Sequence, residues 1–211
     1  MRIGIELNGI VRDIFSSIEE IYKKTFLIEE DGETKKFTIV GDNIVPIVED
    51  SFTYGIKSPV TSFNIAEHLS FRDNDELFSF LYEENPTRIF GMAELMTLNS
   101  AIELNSVYKK MRNEDDLVVV SNEIGLSKPA TLLFLGRNGI LLEEIVFYSE
   151  KTLERMWNNI DVLVTTNPDL SRNKPENKIL LAFSSKNEEW GDFTISSISD
   201  ITLKLNQIKN V

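Results

Sequence analysis

The chain predicts an α/β fold, a three-layer sandwich with a parallel central sheet between two layers of helices. Three observations carry this expectation. Short runs rich in Ile, Leu and Val (2–7, 116–120, 161–165 and 178–183) have the composition of strands buried on both faces. Segments with apolar residues at helical spacing separate those runs, the alternation expected of a parallel sheet. Polar residues gather at the carboxyl ends of the runs, where ligands sit in open α/β sheets: Glu6 and Asn8, then Ser121, then Thr165 and Thr166.

The elements follow in order. Residues 2–7 form a first central strand with a polar end. Ile14, Ile18, Ile21 and Tyr22 then recur at helical spacing and predict a helix over about 11–27. Asp31-Gly32 marks a turn. The stretch 35–62 mixes β-branched runs with Gly41, Pro46, Gly55 and Pro59 and reads as irregular hairpins. Asp73 or Asn74 caps a helix carrying Leu77, Phe78, Leu81 and Tyr82, and a second helix aligns Leu104, Val107, Tyr108 and Met111. After a strand at 116–120, Ser127 caps a helix with Pro129 in its first turn, ended by Gly136 and Gly139. Then come strand 145–148, helix 150–158, strand 161–165, a turn at Asn167-Pro168, strand 178–183 and a helix over 197–208 with Ile198, Ile201, Leu205 and Ile208 on one side. The helical stretch between the first two βα units reads as an insertion. The core is therefore expected at 1–32 and 114–211, with a cap over 33–113.

Composition narrows the function classes. A length of 211 residues, 42% hydrophobic with 13 Phe, suffices for one domain with a modest insertion. Thirty-four acidic residues against 22 basic give a net charge of −12, which disfavours nucleic acid as a partner. No apolar run reaches the roughly 20 residues of a membrane span. The N-terminus enters a strand at once, without a leader pattern. Zero cysteines exclude disulfides and thiolate metal sites. The expected location is cytoplasmic, or within a virion.

Four motifs, in order, carry a resemblance: Ile-Glu-Leu-Asn-Gly-Ile-Val-Arg-Asp at 5–13, Val-Val-Val-Ser-Asn-Glu-Ile-Gly at 118–125, Ser-Glu-Lys at 149–151 and Asp-Val-Leu-Val-Thr-Thr-Asn-Pro at 161–168, with Ser-Lys-Pro-Ala-Thr-Leu-Leu-Phe-Leu at 127–135 in support. Over most of its length the chain resembles the haloacid dehalogenase-like (HAD) superfamily, nearest the 5'(3')-deoxyribonucleotidase-like group. The resemblance implies a Rossmannoid sandwich with a mostly helical cap after the first βα unit.

The resemblance also implies chemistry, which can be tested position by position. The family's nucleophilic Asp is replaced here by Glu6, whose extra methylene moves the carboxylate by about an ångström, a displacement worth roughly 100-fold in a positioned reaction. The family's acid/base is replaced by Asn8, which has no titratable proton. The acidic Mg²⁺ ligands of the fourth motif are replaced by Thr165 and Thr166, whereas Mg²⁺ needs hard anionic oxygens. Ser121 and Lys151 keep the family's phosphate-binding residue types, and the loop 122–127 enters a helix N-terminus. Read as ordinary residues, Ser121 satisfies backbone groups and Lys151 is a surface lysine.

No catalytic residue and no cofactor or metal is therefore expected, with Mg²⁺ only if the chain is an active phosphatase. The favoured expectation is a catalytically degenerate scaffold or protein-interaction module, with a protein partner or a homo-oligomer. Because small proteins resembling this group are frequent in phage genomes, it extends to a phage structural component. The alternatives are a Mg²⁺-dependent 5'-(deoxy)nucleotide phosphatase and a non-catalytic binder of phosphate or a nucleotide. His68 reads as an exposed helix residue, Asp13 as a surface or capping residue, Glu114-Asp115-Asp116 as a solvated turn, and Trp157 and Trp190 as packing anchors.

Overall fold

A computed structural model describes residues 1–30, 33–35, 37–40, 43–46 and 52–210. The expected α/β class is found. Six strands form one parallel sheet: β1 (Arg2–Glu6), β2 (Asp116–Asn122), β3 (Glu144–Tyr148), β4 (Val162–Thr165), β5 (Ile179–Phe183) and β6 (Phe193–Ile195), in the spatial order β6-β5-β4-β1-β2-β3. This is a Rossmann-like arrangement. β1 lies at its centre, with Ile5 opposite Val119 on one side and Val164 on the other. The connections after β1 and β2 run one way, and the chain then returns across β1 to reach β4. That reversal places a topological switch at the carboxyl ends of β1 and β4.

Alternation along the strands divides the core in two. On one face Ile3, Ile5, Val119, Val162 and Val164 pack against α2 (Ser100–Met111), α5 (Asp200–Lys209) and Phe134 of α3 (Ser127–Arg137). On the other, Val118, Val120, Leu163 and Leu180 pack against Met156 and Trp157 of α4 (Leu153–Asn158). Trp157 and Trp190 are indeed packing anchors there. Gly4 permits this second contact, because a Cβ at that position would stand 2.8 Å from Val120 and 3.2 Å from Ile160.

A third apolar cluster joins α1 (Ile14–Phe26) to the inserted segment through Ile18, Tyr22, Leu69, Phe80 and Phe90. Asp13 caps α1, its side chain accepting from the Ser16 amide at 3.1 Å. Asp13→Ala should therefore cost about 1 kcal/mol in urea unfolding; an unmoved midpoint would show that water replaces the cap. Within the insertion, a single turn (Ile65–His68) and a helix (Asn74–Ser79) capped by Asp73 lead into two π-helical segments, Phe80–Glu84 and Thr87–Gly91. One antiparallel pair, Phe37–Val40 with Asn43–Pro46, falls within the stretch 35–62 expected to form hairpins; residues 52–54 of that stretch form no strand, and a second pair, Ile28–Glu30 with Glu33–Lys35, starts before it. The Asp31-Gly32 turn and positions 36, 41–42 and 47–51 of that expectation lie outside the described residues. No helix among the described residues is long and apolar enough to cross a membrane.

Several expectations need correction. Phe193–Ile195 is a strand that the sequence reading lacked. Asp115 is not part of a solvated turn: it is buried and paired with Lys209 near the end of α5. His68 is half-buried, each ring nitrogen hydrogen-bonded to a serine hydroxyl, Ser58 at 2.8 Å and Ser62 at 2.9 Å.

Candidate functional site

The carboxyl ends of β1, β2 and β4 bring Glu6, Asn8, Ser121, Thr165 and Thr166 together, and two buried polar clusters result. The first is built on Glu6. As the last residue of the central strand it has no solvent exposure, and both carboxylate oxygens are engaged. Tyr148, at the end of β3, donates to Oε1 at 2.6 Å, and the Thr165 hydroxyl donates to Oε2. Thr165 in turn accepts from the Asn167 amide at 2.9 Å. Burial pushes the Glu6 carboxyl up to about 7, against the pull of Thr165 and Tyr148, which favour the ionised form. Burial and the neighbouring Glu6 hold the Tyr148 phenol well above its ordinary value.

The second cluster is organised by Arg12. Past β1 the chain turns at Gly9, whose φ of 79° is a conformation that glycine adopts without strain. The amides of Val11 and Arg12 both donate to the Leu7 carbonyl, at 3.0 and 2.9 Å, and fold Arg12 back beneath Asn8. The Arg12 guanidinium is fully buried between the rings of Phe90 and Phe134, 5.4 and 5.3 Å from their centroids. It donates to Asn8 Oδ1 from Nε at 2.9 Å and Nη2 at 2.6 Å, to the Phe90 carbonyl at 3.0 Å, and to Thr131 Oγ1 at 2.6 Å. Its counter-ion is the equally buried Glu123, which also accepts from Ser121 at 2.8 Å and from Thr131. Asn8 Nδ2 reaches Ser121 Oγ at 3.4 Å. Burial pulls the Arg12 guanidinium below its ordinary value, and Glu123 opposes that pull.

These connections revise the expected roles. Ser121 does not satisfy backbone groups; its proton goes to the Glu123 carboxylate. Asn8 acts as the carbonyl acceptor that fixes a guanidinium. Lys151 is exposed on the 3₁₀ turn Glu150–Thr152 rather than drawn into the network. Thr166 sits against the turn, its buried hydroxyl without a hydrogen-bond partner among the described residues and close enough to Gly9 that a Cβ there would approach to 2.6 Å. Arg12, Glu123, Tyr148 and Thr131 were missed by sequence reasoning. The available signal was the spacing of Arg12 four residues after Asn8 and of Glu123 two after Ser121.

The residues where the sequence resemblance implies a metal do not suit a divalent cation. Glu6 is the single carboxylate there and both its oxygens already accept hydrogen bonds, the Asn8 side-chain oxygen faces a guanidinium, and the Thr165 hydroxyl is spent on Glu6. Among the described residues, no group of three or more His, Cys, Asp or Glu could hold a metal ion.

Outside the clusters, a cleft of about 660 Å³ opens at the topological switch, lined by Gly9, Thr166, Asn167 and Asp169 from the core and by Phe63 and Asn64 from the insertion. Phe63, Asn64, Asn167 and Asp169 also line an adjoining volume of about 440 Å³ that reaches Asn122, Tyr148 and Glu150. Neither is lined by Glu6, Arg12, Ser121 or Glu123. A narrow, mostly apolar void of about 60 Å³ touches Asn8. Compared with known proteins, the chain matches no family model and no curated sequence.

Proposed function

We propose that the chain is a catalytically inert HAD-like protein, nearest the 5'(3')-deoxyribonucleotidase-like group, that serves as a scaffold or protein-interaction module, with a structural role in a phage particle as its most specific form. The observation that carries this reading is the internal use of Glu6 and Asn8. A nucleophile must meet its substrate within about 3–3.5 Å, yet both Glu6 oxygens are bonded inside the protein, and Asn8 has no proton to exchange.

The interaction half of the reading is supported by α3. Its inner side packs Ala130, Phe134 and Leu135, while Leu126, Pro129, Leu132, Leu133 and Gly136 stand exposed on its outer side or at its entry. A helix that is apolar on two faces normally has something covering both. A second reading, non-catalytic binding of a small molecule, is favoured by the 660 Å³ cleft at the switch point.

The test has two arms. Phosphate release from deoxynucleoside monophosphates with Mg²⁺ should stay at background for the parent; turnover abolished by Glu6→Ala would overturn the inert assignment. In light scattering, the parent should assemble with itself or with a co-purifying protein. Leu132→Glu with Leu133→Glu should dissolve that assembly without changing the thermal midpoint. A strictly monomeric, partnerless parent would sink the interaction reading.

A further inference from the structure

We propose that Arg12, Ser121 and Thr131 form a built carboxylate-binding site whose ligand is the chain's own Glu123. Three donors from three separate elements converge on this carboxylate: Arg12 Nη2 from the turn after β1, Ser121 Oγ from β2 and Thr131 Oγ1 from α3. Each donor is held by contacts that do not involve Glu123. Arg12 is fixed by Asn8 Oδ1, the Phe90 carbonyl and the two flanking rings. Ser121 is fixed by its strand, in register with Phe147 of β3, and Thr131 lies in the middle of α3.

The donors therefore keep their places if the Glu123 side chain is shortened, and what is left is a cation with two hydroxyls around an anion-sized gap. The site holds one cation, Arg12, which matches a single negative charge; a dianionic phosphate would bring an uncompensated charge into a buried position. Its ligand class is accordingly a small monocarboxylate. In the parent, Glu123 keeps the hydroxyl of Ser121 from any external anion. The inference stands apart from the proposed function, since it concerns a position that does not line either large cleft.

The experiment is chemical rescue. Glu123→Ala deletes the Cγ and the carboxylate, the same atoms that acetate supplies. Proteins are refolded from urea in acetate, phosphate or chloride at equal ionic strength and then melted. In about 100 mM acetate, Glu123→Ala should melt roughly 3–6 °C higher than in chloride, the shift expected for a site with a Kd of about 10 mM in a chain of this size. The parent, Glu123→Gln (whose amide fills the gap) and Glu123→Ala with Arg12→Met should not respond. Where Glu123→Ala fails to fold in chloride, recovery of folded protein in acetate alone supports the site. An equal response of parent and variant overturns it, as does failure to fold in every salt while Glu123→Gln folds. A phosphate response matching that of acetate overturns the assignment of ligand class.

Discussion

Arg12→Met should destabilise the fold by about 3–5 kcal/mol, measured by urea unfolding at neutral pH. The size of the effect comes from what remains behind. Removing the guanidinium strands the Glu123 carboxylate, fully buried, with only the Ser121 and Thr131 hydroxyls as donors. It also leaves Asn8 Oδ1 and the Phe90 carbonyl without the donors they now have. Each such orphaned group costs about 1–3 kcal/mol. Removing Glu123 as well should recover part of the loss, because a buried pair deleted together leaves no uncompensated charge. The double variant Arg12→Met with Glu123→Leu is thus expected to be less damaged than the sum of the two singles by about 2 kcal/mol or more. Arg12→Lys should not rescue, since one ammonium cannot reach Asn8, Phe90, Thr131 and Glu123 from a single point. A loss below about 1 kcal/mol in Arg12→Met would mean that water enters the network and that the closed site does not exist in solution.

This network also shows where sequence reading reached its limit. The strands were legible because a run such as Leu117-Val118-Val119-Val120 buries every residue on one face or the other, leaving a composition that no exposed segment shares. The helices α1, α2 and α5 were legible from their spacing. Phe193–Ile195 was not, because three residues between Asp192 and Ser196 are too few to show a period. The helix through Leu77, Phe78, Leu81 and Tyr82 was read from its spacing, but its widening into π-helical turns at Phe80–Glu84 and Thr87–Gly91 was not, since residue type does not report one extra residue in a turn.

Of the site, Glu6, Asn8, Thr165 and Thr166 were legible as polar residues at the carboxyl ends of apolar strands. Arg12 and Glu123 were not. A charged residue normally reads as surface, and what makes this pair internal is a contact across 111 positions of chain, held by Thr131 and Asn8. Lys151 is what its plainer reading made it, a surface lysine, because the 3₁₀ turn that carries it presents it to solvent.

Glu6 is the remaining group whose burial has a large measurable consequence, and that consequence is a pH dependence of stability opposite in sign to that of an ordinary salt-bridged carboxylate. In the folded protein its carboxyl titrates at about 7, against an ordinary value of 4.5. Between those values the folded state binds the proton and the unfolded state does not. The Glu6 contribution is therefore fully present below pH 4.5 and is lost as pH rises through 7. At about 1.4 kcal/mol per pH unit, the loss amounts to roughly 3 kcal/mol by pH 8. Asp161 acts in the other direction and at lower pH, because the Arg2 amide that donates to it holds its carboxyl below the ordinary range. Glu6→Gln isolates the effect, since Gln keeps an acceptor for Thr165 and stays neutral at every pH, as the protonated Glu6 is. Parent and variant should be of similar stability near pH 5, and the variant should be the more stable by about 2–3 kcal/mol at pH 8. Measuring the difference between the two proteins cancels titrations elsewhere in the chain. Parallel stability curves from pH 5 to 8 would place Glu6 in contact with water and ionised throughout, which is the condition a working nucleophile needs and the proposed function denies it.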